Sequence, residues 1–246
     1  MTRRRAFVAA PPSGAAITLT DDTDHYVRRV LRLGVGDDLV LFDGAGLEVD
    51  AQVLAVGEQG LELRLGERRR IAAPAGPSVT LLVAELKGDK TDWVVQKTTE
   101  LGIDRIAVVS TQRSVPRPDE AGRRKRHQRR CRVAQEACRQ CGRAYLPEVA
   151  ELQPLETALA GAGPGGRLLL AEVAGARGLG SALESVEAPG AITLLVGPEG
   201  GLTAEEQEAA GRHGFHAVSL GSRTLRAETA AIAAVTLVCS ALGRLG

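Results

Sequence analysis

The chain has 246 residues, a length that fits one large domain or two modest ones. Hydrophobic residues make up 44% and aromatic residues only 2%, so a core must be built mainly from Ala, Val, Leu and Ile. The formal net charge of +1 excludes a strongly basic or acidic protein, and only local clusters of charge can indicate partners. No apolar stretch is long enough to span a membrane and no signal-peptide pattern follows the basic first residues, so we expect a soluble, cytoplasmic protein.

Short apolar or alternating runs, separated by turn residues, fill the N-terminal part. They are Ala6–Ala10, Ala16–Leu19, Asp38–Phe42, Glu48–Val56 and Leu61–Leu65. Frequent short strands of this kind indicate a small β-barrel, interrupted by one helix from about Asp22 to Leu33.

Two arginine clusters in this part are candidates for phosphate contact. The opening Arg3-Arg4-Arg5 and a helix face with Arg28, Arg29 and Arg32 could form one basic surface. A solvated charged face and a frayed terminus are the alternative.

A segment punctuated by proline and glycine, Arg68–Pro77, predicts a linker. Beyond it the pattern becomes strand, helix, strand at Val79–Leu86, Lys90–Leu101 and Ile103–Ser110. This is a βαβ unit, which predicts a parallel sheet with right-handed crossovers. We therefore divide the chain into residues 1–73 and an α/β domain at residues 74–246.

The strongest local charge lies in residues 112–132, where nine arginines and lysines stand against Asp119 and Glu120 only. Helical spacing continues to Cys141, and Gly142 ends it. A basic helix of this kind is either a solvated face or a phosphate-binding one.

Cysteines in this helix raise the question of a metal site, because Cys138 and Cys141 have CxxC spacing. The preceding Cys131 lies about 10 Å from Cys138 along a straight helix, too far for a shared zinc ion. We expect no metal and interpret these residues as small buried thiols.

Further elements are predicted at Leu146–Val149 (strand), Leu152–Leu159 (helix), Leu168–Val173 (strand) and Gly180–Val186 (helix). The last helix, from about Glu228 to Leu245, is apolar almost all round and must be covered on more than one side. The sheet can cover one side, and a second subunit is the natural cover for the other.

Two glycine-rich loops follow predicted strands near the C-terminus. The first glycine loop is Leu195–Leu202, after the apolar run Ala191–Val196, and the second glycine loop is Leu220–Ala230, after the short apolar run Ala217–Leu220. Each leads into a helix, and Thr203 and Glu206 have the spacing of a capping box. Ligands of open α/β sheets bind at the carboxyl ends of strands, where both loops lie.

The sequences Val-Gly-Pro-Glu-Gly-Gly and Leu-Gly-Ser-Arg-Thr-Leu-Arg-Ala-Glu-Thr-Ala in these loops resemble the signature loops of the bacterial 16S ribosomal RNA uridine-N3 methyltransferases, a family of the SPOUT class. Three other segments resemble the same family: His25–Arg32, Lys87–Gly102 and Glu136–Arg143. The resemblance implies a PUA-like RNA-binding barrel, a parallel sheet with a C-terminal trefoil knot, S-adenosylmethionine as the methyl donor and a homodimer formed through the knot domain and C-terminal helix.

By the same resemblance, eight residues should line the donor pocket: Leu170, Gly197, Gly201, Leu220, Gly221, Leu225, Arg226 and Thr229. The candidates for RNA contact are Arg4, Arg28, Arg29, Arg32, Arg124 and Arg143, the last of which is expected to meet RNA or the partner subunit.

The chemistry sets its own requirements, because N3 of uridine is protonated at neutral pH. Arg226 is the first candidate for stabilising negative charge on O2 or O4 of the uracil. Glu199 or Glu228 could accept the proton, directly or through water. Alternatively, Glu199 only structures its loop by accepting backbone hydrogen bonds.

Other enzyme classes lack their motifs here. No Gly-x-Gly-x-x-Gly follows a predicted strand, and neither a phosphate-binding Gly-Lys-Ser/Thr motif nor a Gly-x-Ser-x-Gly elbow is present. A non-catalytic RNA-binding ribosome assembly factor, and a knotted methyltransferase acting on another RNA, remain as alternatives.

Overall fold

The computed structural model describes residues 4–10, 12–115, 117–171, 175–184 and 190–245. It divides into two compact units. The first runs to Pro74 and includes Gln135–Leu146, and the second contains Ala75–Ala134 and the chain from Pro147 onward. Arg3 and the ends of the predicted elements Leu168–Val173 and Gly180–Val186 lie outside the described residues.

The first unit is built on a five-stranded sheet of described residues with the order β1-β3-β4-β5-β2. Its strands are β1 (Arg5–Phe7), β2 (Ala16–Leu19), β3 (Asp38–Phe42), β4 (Leu47–Gly57) and β5 (Gly60–Arg70). Only the β1–β3 pair is parallel among these, and the other neighbours are antiparallel.

The predicted linker is wrong in its first residues, because β5 extends through Arg68, Arg69 and Arg70. These residues pair with the start of β4, and the Asp50 carboxylate accepts hydrogen bonds of 2.5 and 2.8 Å from Arg69. The end of β5 was missed because its side chains are charged and exposed, which is typical of a linker; cross-strand pairs with β4 hold it in the sheet.

The proposed basic surface at the start of the chain is wrong for Arg5, which is buried. Its guanidinium donates to Glu48 at 2.6 Å and to the carbonyl of Arg143 at 3.1 Å, and it lies 4.7 Å from the centre of the Phe42 ring. Arg5 is therefore a core residue of the first unit.

The predicted N-terminal helix is shorter than expected. It consists of α1 (Asp21–His25), followed directly by one π-helical turn, Tyr26–Val30. Arg32 then has a φ of +54°, in the left-handed region, so the helix cannot continue to Leu33.

The second unit confirms the predicted parallel sheet. Its seven strands of described residues are all parallel, in the order β10-β12-β9-β11-β6-β7-β8. They are β6 (Ser78–Ala84), β7 (Arg105–Ser110), β8 (Glu148–Pro154), β9 (Gly166–Leu170), β10 (Arg177–Gly178), β11 (Ala191–Val196) and β12 (His216–Ser219). The β8 strand lies further along the chain than predicted, which shortens the helix after it.

The helices after α1 are α2 (Lys90–Glu100), α3 (Glu120–Cys141), α4 (Leu155–Ala160), α5 (Leu179–Glu184), α6 (Ala204–Arg212) and α7 (Ala227–Ala241). α7 packs against α2, β6 and β11 and buries Ala231, Ala234, Val235 and Val238 completely. Within the described ranges, no helix has the length and apolar character needed to span a membrane.

The cysteines match the buried-thiol interpretation in part. Cys138 and Cys239 are buried, and burial raises the pKa of the Cys138 thiol to about 12. Cys141 is exposed, so the interpretation is wrong for that residue, which lies at the last position of α3. Among the described residues, no group of three or more His, Cys, Asp or Glu side chains is placed to hold a metal ion.

Candidate active site

A pocket of about 630 Å³ opens at the carboxyl ends of β9, β11 and β12 in the second unit. Both glycine loops line it. Its apolar lining includes Leu169, Leu170, Ala171, Val196, Val218, Leu220 and Leu225.

The first glycine loop brings backbone to the pocket wall. The amide of Gly201 donates to the carbonyl of Pro198 at 2.8 Å and closes a tight turn, in which Gly201 has a φ of +70°. A Cβ at Gly197 would lie 3.1 Å from Cγ and 3.2 Å from N of Leu202. Position 201 therefore needs glycine because its φ is positive, and position 197 needs glycine because Leu202 packs directly against its backbone.

The second glycine loop is ordered by a hydroxyl. Ser219 Oγ donates to the carbonyl of Gly221 at 3.0 Å and accepts from its amide at 3.1 Å, and Gly221 has a φ of +120°. The loop ends at Arg226, the extended N-cap of α7, whose carbonyl accepts from the Ala230 amide at 2.8 Å. The positive end of the α7 dipole therefore lies at the pocket.

The capping box predicted at Thr203 is present, and it does more than cap α6. Thr203 Oγ1 accepts from the Glu206 amide at 3.3 Å, and Glu206 Oε2 accepts from the Thr203 amide at 2.9 Å. Glu206 Oε1 also accepts from the amide of Gln112 at 2.7 Å. One buried carboxylate thus joins the first glycine loop to the loop after β7.

A lysine joins the carboxylates of the two glycine loops. Lys90 Nζ, at the start of α2, lies 3.1 Å from Glu199 Oε1 and 3.4 Å from Glu228 Oε1. Glu199 Oε1 also accepts from the Lys87 amide at 3.3 Å. Glu228 is only 5% exposed, and its Oε2 has no hydrogen-bond partner among the described residues.

These contacts shift the pKa values of Lys90 and Glu199. Partial burial alone would raise the pKa of Glu199, but hydrogen bonds from its own amide, from Lys90 and from the Lys87 amide outweigh it, and the pKa is lowered. The hydrogen bond to Glu199 raises the pKa of Lys90 above its ordinary value of 10.5.

Comparison of the chain with known proteins shows which family it resembles. A model of the RNA methyltransferase domain matches residues 74–239, and a model of the RNA methyltransferase PUA domain matches residues 19–66. The chain is 35% identical over 230 residues to a Synechocystis protein called ribosomal RNA small subunit methyltransferase E, covering 91% of this chain and 73% of the relative. A Mycobacterium bovis protein of the same name is 33% identical over 236 residues, 93% of this chain and 87% of the relative.

The chain belongs to the family of these small-subunit ribosomal RNA methyltransferases. The resemblance found in the glycine loops is therefore confirmed.

Solved structures of similar proteins contain the methyl donor. A Legionella pneumophila methyltransferase bound to S-adenosylmethionine superposes with a TM-score of 0.90 at 28% identity, covering 98% of both chains. A Neisseria gonorrhoeae ribosomal RNA small subunit methyltransferase E bound to the same donor has a TM-score of 0.88 at 29% identity, covering 97% of this chain and 98% of that one.

Seven of the eight residues predicted for the donor site line the pocket: Leu170, Gly197, Gly201, Leu220, Gly221, Leu225 and Arg226. The eighth, Thr229, is exposed in the first turn of α7 and is not part of the described lining. Of the proposed catalytic residues, Arg226 and Glu199 line the pocket, whereas Glu228 lies behind its wall, against Lys90.

In the first unit, two of the five arginines proposed for RNA contact form ion pairs within the protein. Arg4 pairs with Asp37 at 3.2 Å, and Arg28 with Asp24 at 2.6 Å. Arg29 and Arg32 are exposed, and Arg143 is half-buried.

The basic helix α3 is partly neutralised within the second unit. Arg130 is 3% exposed and binds both oxygens of Glu85, at 2.6 and 2.8 Å, and Arg126 binds Glu85 at 2.7 Å. The exposed Arg124 pairs with Glu120 on the same helix. The phosphate-binding interpretation is thus wrong for Arg130.

Two residues at this site had no individual role in the sequence reasoning. Lys90 belongs to a segment that resembles the family, but its spacing gave no sign of its carboxylate partners. Arg113 lines the pocket. The sequence reasoning placed it in one basic helix with its charged neighbours, whereas α3 begins only at Glu120 and Arg113 lies in the loop before it.

Lys90→Met is expected to lower the thermal unfolding temperature by several degrees, because it leaves the buried Glu228 carboxylate without its cation. Glu228→Gln in the same chain should restore part of the loss. Lys97→Met is the matched control on α2, since Lys97 has only a surface pair with Glu100. Equal unfolding temperatures of the two lysine variants would contradict this role of Lys90.

The difference in the free energy of unfolding between wild type and Lys90→Met should also depend on pH. The raised pKa of Lys90 makes its contribution complete below about pH 10.5 and lost as the pH rises through the folded-state value. The lowered pKa of Glu199 makes its contribution complete above about pH 4.5 and lost below it. The difference in the free energy of unfolding should therefore be constant between about pH 4.5 and pH 10.5 and should become smaller outside that range.

Proposed function

We propose that the protein uses S-adenosylmethionine to methylate N3 of a specific uridine in the 16S ribosomal RNA of the small subunit, in the cytoplasm. The observation that carries the proposal is the convergence of both glycine loops on one pocket, in a chain related over nine-tenths of its length to small-subunit ribosomal RNA methyltransferases.

The pocket fits the methyl donor. Its volume lies within the range of about 300–1,000 Å³ typical of small-molecule sites. The leucines and Val196 offer apolar contact to an adenine, and glycine at positions 197, 201 and 221 lets the loop backbone approach its polar edge without a Cβ in the way. When bound, the donor supplies an electrophilic methyl group on a sulfonium.

We also propose that the strands around the pocket form the trefoil knot of the SPOUT class. The supporting observation is the path of the chain beside β9. β11 lies on one side of β9 and β12 on the other. The chain must therefore cross β9 between Val196 and His216, the segment that contains the first glycine loop.

Arg226 is the residue that stabilises the uracil anion in this proposal. It is exposed at the pocket and is fixed at the N-cap of α7. Its guanidinium and the positive end of the helix dipole both favour negative charge developing on O2 or O4.

Of the two glutamates, Glu199 is the one placed to accept the N3 proton, through water, because it lines the pocket. Its lowered pKa makes it a weak base, so most of the barrier must be lowered by the cation and by positioning. Glu228 acts indirectly by holding Lys90. Because N3 is on the pairing edge, the target uridine must be unpaired or flipped out.

We further propose a homodimer whose interface includes α7. Ile232, Ala233, Thr236 and Leu237 are not fully covered by the described residues, and Leu237 is 46% exposed. A mainly apolar stripe on an otherwise buried helix is the expected contact for a second copy of the chain.

The function is tested in a strain that lacks the gene. Mass spectrometry of 16S ribosomal RNA should show loss of one 3-methyluridine, which returns when the purified protein and S-adenosylmethionine are added to small subunits from that strain. Unchanged 3-methyluridine in the deletion strain would refute the assignment. Absence of donor binding by calorimetry would favour a non-catalytic assembly factor.

Arg226→Ala should lower kcat by about 10²-fold, the usual cost of losing one donor to a developing oxyanion. Glu199→Gln should lower it by a similar or smaller factor. Arg212→Ala and Glu208→Gln, both exposed on α6 and away from the pocket, are the controls. A variant with wild-type turnover removes its residue from the mechanism.

Leu237→Lys should convert the dimer into a monomer in light scattering, because it places a charge in an apolar contact. Leu54→Lys, at a 44% exposed leucine of the first unit, is expected to leave the mass unchanged. A monomeric wild type would refute the dimer.

A further inference from the structure

The lining of the pocket carries more positive than negative charge. Three arginines line it: Arg113, Arg223 and Arg226. The sole carboxylate in the described lining is that of Glu199, which already accepts from Lys90 and the Lys87 amide. The pocket therefore presents guanidinium groups to whatever binds at its mouth.

Arg113 belongs to neither glycine loop, yet it is fixed against one of them. It lies in the loop between β7 and α3, and its Nη1 donates to the carbonyl of Gly200 at 2.8 Å. A Cβ at Gly200 would lie 3.5 Å from Cδ of Arg113, so the arginine stem packs along the loop. This contact uses one of the five N–H donors of the guanidinium.

The backbone on both sides of Arg113 is also held. Thr111 Oγ1 and Ser114 Oγ, both buried, lie 2.9 Å apart, and the Gln112 amide donates to Glu206 at 2.7 Å. The Arg113 side chain itself is exposed, and in the described part of the chain no carboxylate lies within ion-pair distance of it, although Glu205 is near. It is a preorganised cation with free donors.

The charge of the two substrates indicates which one Arg113 meets. S-adenosylmethionine carries a sulfonium, an ammonium and a carboxylate, so its net charge is positive and an arginine gives it no overall attraction. Each RNA nucleotide carries a phosphodiester anion, and the planar guanidinium fork matches its two oxygens. Gly200, which Arg113 contacts, lies at the exposed end of the first glycine loop, so the guanidinium is accessible to RNA that approaches the pocket.

We propose that Arg113 binds a phosphodiester of the RNA next to the target uridine and so sets the depth to which that uridine enters the pocket. This inference rests on the proposed function, because it concerns the substrate of the same site.

The test compares Arg113→Gln with Arg113→Lys and the control Arg212→Gln. Glutamine keeps an N–H for the Gly200 carbonyl and removes the charge, whereas lysine keeps the charge. Binding of small subunits from the deletion strain is measured without donor between about 50 and 200 mM KCl. For each variant, the affinity for S-adenosylmethionine is measured by calorimetry, and KM and kcat are measured for methylation of the RNA.

Arg113→Gln should weaken RNA binding about tenfold, raise KM for the RNA by a similar factor and make the salt dependence shallower by about one phosphate contact. Donor affinity should stay within about threefold in all variants. Arg113→Lys should keep the wild-type salt dependence, and Arg212→Gln should match wild type throughout.

Wild-type RNA affinity and salt dependence in Arg113→Gln would overturn the proposal. A loss of donor affinity with unchanged RNA binding would also overturn it, since Arg113 would then serve only the donor or its loop. Because RNA binding is read without donor, these outcomes are separate from a failure of the proposed function, which would appear as a wild type that forms no 3-methyluridine.

Discussion

The contact of Lys90 with Glu199 and Glu228 is the interaction on which the pocket depends. Glu199 lies in the first glycine loop and Glu228 in the first turn of α7, and the two glycine loops follow different strands. Backbone rich in glycine has much conformational entropy to lose, so it needs a fixed anchor. The lysine supplies that anchor from the rigid start of α2, at 3.1 and 3.4 Å.

A second anchor works through the backbone instead of through charge. Glu206 holds the amides of Thr203 and Gln112. It fixes the loop after β11 to the loop after β7, although β6 lies between these strands in the sheet. Both anchors lie at the carboxyl edge of the sheet, so the strands determine where the loops begin and the two acidic contacts determine where they go.

The sequence predicted what depends on local pattern. Apolar runs bounded by glycine identified β6, β11 and β12 within two residues, and capping-box spacing identified the start of α6. What it missed depends on distant partners. β5 continues through three arginines because β4 lies opposite, and Arg5 is buried because Glu48 and the Arg143 carbonyl satisfy it. All eight residues predicted for the donor pocket came from the family resemblance, which gave the seven that line it and also Thr229, which does not; periodicity alone gave none of them.

The pocket separates charges of opposite sign by depth. Glu228 lies behind its wall and Glu199 lines it, and both carboxylates are paired with Lys90 within the protein. The arginines are satisfied only in part and stay exposed, Arg113 by one bond to Gly200. In the proposed function, the site must bind both a cationic donor and a polyanionic RNA; neutral backbone does not repel the donor, and guanidinium groups attract the RNA. In that proposal the glycine loops serve the donor and the arginines serve the RNA, which accounts for glycine and arginine lying side by side at this pocket.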